Sequence, residues 1–178
     1  MKIIKTIFNK VCLLTPEIFS DERGFFYESY NSKSFNSSIG NNASFVQDNH
    51  SYTKRSVLRG LHYQEAPYEQ DKLVRVLSGE IYDVVVDIRK SSKTFGQWHG
   101  EVLSAINNNQ LWIPKGFAHG FVVTSSDATV LYKTTQYYYP ESERTIRYDD
   151  PDLNIRWPIE IEIISEKDSK GLGIKDIL

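Results

Sequence analysis

The chain has 178 residues, of which 21 are Lys or Arg and 23 are Asp or Glu, giving a formal net charge of −2. This balance provides no excess of positive charge for a phosphate backbone, so we expect no nucleic-acid partner. The single cysteine, Cys12, cannot form an internal disulfide, and the sequence shows no signal peptide and no run of 18 apolar residues. We therefore expect a cytoplasmic protein without a membrane partner and, at this length, one domain over residues 1–178.

The composition favours strands over helices, since 13% of the residues are aromatic and 11 of them are Tyr. In the first half of the chain, residues 32–38 are the best candidate for a short helix. Alternation of apolar and polar residues then predicts strands at residues 72–77 and 81–88. Ser78 and Gly79 between them predict a hairpin turn.

The second half continues this pattern of strands and turns. Residues 111–113 predict a short strand, residues 117–124 another, and residues 128–139 a long strand that ends before Pro140. Residues 125–127 predict the turn between the last two strands, and residues 166–178 are a second helix candidate. Turns spaced about 8–12 residues apart predict an all-β antiparallel sandwich or barrel with few helices.

Residues 58–64 are a strand-like segment that carries ionisable side chains. By alternation, Arg59 and Leu61 share one face, whereas Gly60, His62 and Gln64 share the other. A glycine beside an inward His and Gln lets a ligand approach the backbone closely, which indicates a pocket. An edge strand with a surface histidine is the alternative.

A second histidine, His119, lies between Ala118 and Gly120 in an aromatic strand, which again indicates a pocket. The alternative is a buried histidine satisfied by a hydrogen bond. Two histidines in a barrel also suggest a cupin-type metal site, which needs about three imidazoles and a carboxylate. Because Gln64 stands where a second imidazole is needed, we expect no bound metal.

Other polar side chains have ordinary interpretations when taken alone. Arg23, Lys72 and Arg144 would by default be solvated surface charges. Tyrosines on the last predicted strand, among them Tyr132 and Tyr137, would by default serve packing, with their hydroxyls reaching a partner or water.

Eight segments form a set of motifs in fixed order: DERGFFYE (21–28), FVQDNHS (45–51), VLRGLHYQ (57–64), DKLVRVLSGEIYDVVVDIR (71–89), FGQW (95–98), QLWIPKGFAHGF (110–121), LYKTTQYYYPESERTIRYDDPDLNIRWP (131–158) and SEKD (165–168). In this order and spacing, the segments resemble the dTDP-4-dehydrorhamnose 3,5-epimerase family. The resemblance covers about residues 19–168, which is most of the chain.

The resemblance implies a cupin-like jelly roll that acts on a nucleotide-linked 4-keto sugar without a metal or other cofactor. A C4 ketone acidifies the protons on C3 and C5. Inversion then requires a base on one face, a stabilised enolate oxygen, and a proton donor on the other face. The implied substrate is dTDP-4-dehydro-6-deoxy-D-glucose, with inversion at C3, C5 or both.

The resemblance also assigns catalytic roles. His62 matches the base, and an imidazole with an ordinary pKa near ~6.5 suits proton removal near neutrality. Asp168 matches the carboxylate that holds this imidazole, with Asp83 as the competing partner. Lys72 matches the lysine assigned to the enolate oxygen, and Tyr132 matches the acid on the opposite face.

Further residues match the nucleotide-binding side of the family's site. Arg23 and Arg59 match arginines that contact the diphosphate, and Tyr137 matches the aromatic that stacks on the nucleobase. In this family the N-terminal region reaches into a neighbouring subunit, which implies a homodimer in which Arg23 and Glu28 serve the partner's site. The remaining implied substrate contacts are Gln47, Asp48, Asn49, His119, Glu143 and Lys167.

Other functions stay open at this point. The same chemistry could act on another sugar, such as a GDP-linked 4-keto-heptose used for capsule or surface polysaccharide. A metal-dependent cupin oxygenase or isomerase would use His62 and His119 as ligands. A non-catalytic sugar-nucleotide-binding module would keep the barrel without turnover, and a 4-ketoisomerase would move the carbonyl instead of inverting carbons.

Overall fold

The computed structural model describes residues 1–177, and strands dominate this part of the chain. Its two α-helices are α1 (Ser32–Ile39) and α2 (Glu166–Ser169), and 3-10 turns lie at Pro140–Ser142 and Ile174–Ile177. The strand pairs in its two sheets are antiparallel, so the all-β prediction with few short helices is confirmed. The strands are β1 (Lys2–Ile7), β2 (Val11–Thr15), β3 (Phe19–Asp21), β4 (Gly24–Phe26), β5 (Gln47–Lys54), β6 (Leu58–Gln64), β7 (Lys72–Asp87), β8 (Trp98–Ser104), β9 (Gln110–Ile113), β10 (Phe117–Thr134) and β11 (Glu143–Thr145).

The two longest strands, β7 and β10, form the centre of the nine-stranded sheet. These two strands pair with each other along their whole lengths. The first half of β7 also pairs with β9, and its second half pairs with β8. The first half of β10 pairs with β6, and its second half pairs with β5. Side chains from both halves meet in one apolar interior, so the sheet folds over itself around a core. That core includes Val11, Leu13, Val74, Val76, Ile81, Val85, Leu103, Leu111, Ile113, Phe117, Phe121, Val123 and Val130.

The two turns predicted inside these strands are wrong, because both segments are irregularities within continuous strands. Pairing passes from Val123↔Ile81 to Ala128↔Gly79, so residues 124–127 bulge out of the ladder. Gly79 has a φ of 77°, a backbone conformation that suits glycine. The residues that were predicted to form turns therefore lie beside each other in the two paired strands, and neither strand reverses direction there.

Both helix predictions are confirmed within the described residues. The Asn31 side chain accepts a hydrogen bond from the Ser34 amide at 3.1 Å and caps α1, and Gly40 ends this helix with a φ of 63°. The helix buries Phe35 against the outside of the sheet. The tail forms α2 and a 3-10 turn, while Leu178 lies outside the described residues.

The outer face of β6, β7 and β10 is covered by the C-terminal part of the chain. Leu61 and Val84 pack there against Ile146 and Leu153. The chain then returns along β6, where the Leu58 amide donates to the carbonyl of Ile163 at 3.0 Å. This return brings α2 next to β6. Among residues 1–177, no helix is long and apolar enough to cross a membrane.

Candidate active site

A polar pocket lies where β5, β6, β7, β10 and β11 come together. Its lining combines a histidine, a lysine, a carboxylate and three tyrosines, which is the mixture that proton transfer on a polar substrate requires. The lining residues are Gln47, Asn49, His62, Tyr63, Gln64, Gln70, Lys72, Tyr132, Tyr138 and Glu143.

A bulge in β6 aims His62 into this pocket. His62 is paired with His119 of β10, and Arg59 is paired with Phe121, so β6 has one more residue between these pairs than β10 has. Arg59 and His62 therefore share a face, and the alternation that placed them on opposite faces is wrong. The bulge requires Gly60, because a Cβ there would lie 2.8 Å from the His119 carbonyl oxygen.

His62 is held by Asp168 of α2. The distance from His62 Nε2 to Asp168 Oδ1 is 2.6 Å, and the Gly60 amide donates to Oδ2 of the same carboxylate at 3.1 Å. Asp168 is buried, and its amide donates to the Ser165 side chain that caps α2. Burial alone would raise the pKa of Asp168, but the hydrogen bonds from His62 and the Gly60 amide lower it below the usual range. The carboxylate stays ionised and orients the imidazole.

Asp83, the competing partner in sequence, binds a different histidine. Its two oxygens lie 3.0 and 2.9 Å from His119 Nε2, and both side chains are buried in the barrel. Burial lowers the pKa of His119, although the Asp83 charge opposes this shift. His119 is therefore a buried histidine satisfied by a hydrogen bond, which was the alternative expectation, and it is not among the residues that line the pocket.

Lys72 lies inside the barrel, so the default expectation of a solvated surface charge is wrong for this residue. Its Nζ donates to the backbone carbonyl of His62 at 3.2 Å. Burial lowers the pKa of Lys72 to about 8, against the opposing charges of Asp83 and Glu143. An ammonium in this position remains mostly charged at neutral pH and can face a developing negative charge.

Tyr132 lies on β10 opposite Asn49 of β5, and both residues line the pocket. Burial raises the pKa of Tyr132, and the nearby Glu143 carboxylate adds to this effect. The phenol is therefore protonated at neutral pH and available as a proton donor.

Glu143 organises the pocket rim. Its Oε2 accepts hydrogen bonds from the Tyr138 hydroxyl at 2.8 Å and from Lys167 Nζ at 2.9 Å. Burial alone would raise the pKa of Glu143, but these bonds and the nearby His62 lower it. Lys167 and Asp168 are neighbours on α2, so this short helix supports both the rim and the imidazole.

Tyr138 lines the pocket, whereas Tyr137, to which the resemblance assigns the stacking role, does not. Because β10 ends at Thr134, strand alternation does not decide where the side chains that follow it point. The Gln47 side chain accepts a hydrogen bond from the Tyr138 amide at 3.1 Å, and the Gln64 side chain accepts one from the Tyr139 amide at 2.7 Å. These two bonds hold the segment that follows β10. Gln64 lines the pocket beside His62, as the alternation in β6 indicated, whereas nothing in the local pattern distinguishes Tyr63 and Gln70 as lining residues.

Three residues that the resemblance assigns to substrate lie away from the pocket of their own chain. Arg23 is exposed and pairs with Asp21, and Glu28 accepts a hydrogen bond from Asn31 at 3.1 Å. Asp48 forms an ion pair with Lys133 at 2.9 Å. Arg59 lies nearer, on the same face as His62, and donates to the Thr53 hydroxyl at 2.9 Å.

The described residues contain no group of three His, Cys, Asp or Glu side chains placed to hold a metal ion. His62 and His119 are each bound to a carboxylate through Nε2, and His99 lies on β8 beside Glu101. The arrangement offers separate acid–base pairs.

Known proteins resemble this chain over nearly its whole length. The family model of dTDP-4-dehydrorhamnose 3,5-epimerase matches residues 5–176. The dTDP-4-dehydrorhamnose 3,5-epimerase of Shigella flexneri is 53% identical, over 99% of this chain and 97% of its own. The crystal structure of dTDP-6-deoxy-D-glucose-3,5-epimerase from Legionella pneumophila in complex with dTDP-4-keto-L-rhamnose is 49% identical with a TM-score of 0.94, covering 99% of this chain and 96% of that one. A 3'-monoepimerase from Streptomyces bikiniensis in complex with dTDP-quinovose is 34% identical with a TM-score of 0.88, covering 93% and 84%.

Proposed function

This chain belongs to the dTDP-4-dehydrorhamnose 3,5-epimerase family and is an isomerase with its cupin-like fold, and we propose that it converts dTDP-4-dehydro-6-deoxy-D-glucose to dTDP-4-dehydro-L-rhamnose. The observation that carries the proposal is the His62–Asp168 pair, 2.6 Å apart, in a pocket shared with Lys72 and Tyr132. Family membership and the side chains of the pocket both support inversion of a carbon next to a ketone.

The proton acceptor is His62 Nδ1. Because the ionised Asp168 only accepts hydrogen bonds, Nε2 carries the proton between them, and Nδ1 keeps its lone pair. Nδ1 removes the proton from C3 or C5, and the C–H electron pair moves into the carbonyl to form an enolate. Asp168 stabilises the imidazolium that results.

The other two steps use Lys72 and Tyr132. The Lys72 ammonium stabilises the enolate oxygen, because a charge fixed in a buried site needs no reorganisation as the negative charge develops. The Tyr132 phenol donates its proton to the carbon from the other face, which inverts that centre. This chemistry balances without a redox cofactor or a metal ion, and we propose that none takes part.

Tyr138 is a better candidate than Tyr137 for contact with the nucleotide-linked sugar. Its hydroxyl is fixed by Glu143, and half of its surface remains exposed at the pocket. An aromatic ring held by one edge leaves its faces free to stack on a flat ligand group.

Deuterium incorporation tests the reaction and the substrate together. The enzyme, treated with chelator and assayed for bound metal, is incubated in deuterated water with dTDP- and GDP-linked 4-keto sugars, including a GDP-linked 4-keto-heptose. We expect two deuterons in the product of the dTDP sugar and L-rhamno configuration by NMR. A product with one deuteron would indicate an epimerase that acts at a single carbon. A product with a shifted carbonyl would indicate a ketoisomerase, and activity that requires stoichiometric metal would indicate a metal-dependent cupin enzyme.

We also propose that the protein, one domain per chain, works as a homodimer whose N-terminal hairpin serves the partner's pocket. The hairpin of β3 and β4 pairs with no other strand in residues 1–177, and Phe19, Phe25 and Phe26 on it are 58%, 62% and 71% exposed. Three exposed aromatic side chains on a hairpin that pairs with no other strand in residues 1–177 indicate a surface that contacts another subunit. Strand β5 pairs with β10 alone and leaves an open edge beside the pocket.

Complementation tests this arrangement. Arg23→Ala and His62→Ala subunits are each expected to be inactive alone and active after mixing, unfolding and refolding together. In the mixed dimer, one pocket combines His62 of one subunit with Arg23 of the other. A mixture without recovered activity, or a monomer in sedimentation, would contradict the proposal.

A further inference from the structure

The buried ammonium of Lys72 has no carboxylate in contact. Within residues 1–177, no carboxylate oxygen lies within 4.0 Å of its Nζ, and its hydrogen bond goes to the neutral carbonyl of His62 at 3.2 Å. Lys72 is only 8% exposed. A buried ammonium without a compensating charge tends to lose its proton. Something in the barrel must therefore offset this charge if Lys72 is to act as a cation.

Two of the three carboxylates near the pocket already serve other groups. Asp168 is bound to His62 and becomes the counter-ion of the imidazolium during proton transfer. Glu143 is bound to Lys167 at 2.9 Å and to the Tyr138 hydroxyl. This leaves Asp83, which is fully buried.

Asp83 and His119 together carry one negative charge. An ionised carboxylate only accepts, so the His119 Nε2 that contacts both Asp83 oxygens carries a proton. Burial lowers the pKa of His119, which keeps the ring neutral at neutral pH. The dyad is adjacent to the Lys72 site, because His119 is paired with His62 across β6 and β10, and His62 is the residue whose carbonyl Lys72 binds.

We propose that Asp83 is a positioning residue whose buried negative charge keeps the Lys72 ammonium protonated, so that the ammonium meets the enolate oxygen as a cation. The role in the reaction rests on the proposed function, whereas the effect on the charge of Lys72 does not. Asp83 thereby has a use distinct from that of Asp168, with which it competed in sequence as the partner of His62.

The groups around Lys72 agree with this role. Burial lowers its pKa to about 8, and Asp83 is the larger of two opposing influences, ahead of Glu143. The other titratable groups at the site are two histidines and three tyrosines, and burial or hydrogen bonding raises the pKa of each tyrosine, so none of these groups adds negative charge at neutral pH. They are His62, His119, Tyr63, Tyr132 and Tyr138. Loss of the Asp83 charge therefore moves the pKa of Lys72 toward neutrality.

Asp83→Asn tests the proposal because asparagine keeps the shape and can still accept from His119, while the charge is removed. We expect the alkaline limb of the kcat/KM profile to move by about one pH unit or more toward lower pH, giving a roughly five- to ten-fold loss near pH 8 and a smaller loss near pH 6.5. The matched control is Asp87→Asn, which removes another fully buried carboxylate of β7 that is bound by Arg89, Ser92 and Thr94. The control should leave the position of the limb unchanged.

A titration independent of catalysis completes the test. Lysines are labelled with carbon-13 at Cε, the Lys72 signal is assigned by its loss in Lys72→Met, and its pKa is measured by NMR in both proteins. A Lys72 pKa that is unchanged in Asp83→Asn overturns the proposal, as does an activity loss that is equal at all pH values. If the wild type does not epimerise but the Lys72 pKa still falls in the variant, the proposed function fails and this inference stands. If Asp83→Asn does not fold, the wild-type titration decides, and a Lys72 pKa below about 7 contradicts a compensated ammonium.

Discussion

The role proposed for Tyr132 allows removal of a proton to be measured separately from inversion of the carbon. Its phenol is kept protonated by burial and by Glu143, so it is suited to donate to a carbanion formed by His62. In Tyr132→Phe, His62 can still remove a proton and return a deuteron to the same face. We expect product formation to fall by roughly 10²–10⁴-fold while deuterium still enters recovered substrate, measured by mass spectrometry in deuterated water.

The control for this variant is Tyr82→Phe, which removes the hydroxyl of a tyrosine packed against Trp157 on the outer face of β7. This control should retain both exchange and inversion. Equal loss of exchange and product in Tyr132→Phe would contradict its role as the donor.

At the residue scale, motifs predicted more than periodicity did. The family motifs singled out His62, Lys72 and Tyr132, which the structure brings to one pocket. Alternation could not place Arg59 beside His62, because a bulge breaks the period of two. It could not choose between Tyr137 and Tyr138 either, because both follow the end of β10.

At the scale of the strands, the geometry of the site depends on close contact between β6 and β10. A Cβ on Gly60 would lie 2.5 Å from Gly120 Cα, and a Cβ on Gly120 would lie 2.7 Å from the Arg59 carbonyl oxygen. We expect Gly60→Ala to lower the free energy of unfolding by about 1–3 kcal/mol beyond its backbone strain, because the two strands must separate. Chemical denaturation measures this change.

Gly24→Ala is the matched control for Gly60→Ala. Both glycines have a φ of 125°, but a Cβ on Gly24 would have nothing within 4 Å. The difference in the free energy of unfolding between the two variants therefore measures the steric clash of the added Cβ separately from the backbone strain. Equal destabilisation would show that the contact between Gly60 and Gly120 contributes nothing.

The end of β7 is fixed by Asp87, and this makes the fold sensitive to acid. Burial alone would raise the pKa of Asp87, but hydrogen bonds from Arg89, Thr94 and Ser92 lower it to about 2. Because the pKa in the folded state is below that of the unfolded chain, the stabilisation is present above pH ~4 and is lost as the pH falls toward ~2. It amounts to about 2 kcal/mol at neutral pH.

In Asp87→Asn we expect the free energy of unfolding at pH 7 to fall by about that amount or more, since charge-assisted hydrogen bonds are lost as well. The difference from wild type should shrink between pH 4 and pH 2. The control is Asp149→Asn, which breaks an exposed pair with Arg147 and should change stability little. A difference that stays constant down to pH 2 would contradict the linkage to Asp87.

Local patterns predicted which segments are strands but not how the strands continue. Ser78-Gly79 and residues 125–127 carry the composition of turns, yet the structure uses them to bend two paired strands. Only the partner strand decides between a turn and a bulge, because contacts between the two strands hold the bulge in place, such as the hydrogen bond of 2.8 Å from the Glu80 amide to the Ser125 hydroxyl. The helix at α1 was easier to predict because its cap and its buried Phe35 are local features.

At the scale of the whole molecule, the site depends on a chain that returns to its own sheet. His62 lies on β6 and Asp168 on α2, and they meet because the C-terminal segment covers the outer face of the sheet and pairs back onto β6. No periodicity in the sequence encodes a contact over this separation, so Asp168 and Asp83 could not be distinguished without the fold. In the proposed homodimer, the hairpin of β3 and β4 would add a further long-range contact, with a second copy of the chain.

The most direct measurement concerns the imidazole itself. His62→Ala is incubated with dTDP-4-dehydro-6-deoxy-D-glucose in deuterated water beside wild type and His99→Ala, whose histidine lies on β8 next to Glu101. We predict that His62→Ala binds the nucleotide but incorporates no deuterium at C3 or C5, whereas the other two proteins exchange both positions. Deuterium entering either carbon at the wild-type rate in folded His62→Ala would contradict its assignment as the base.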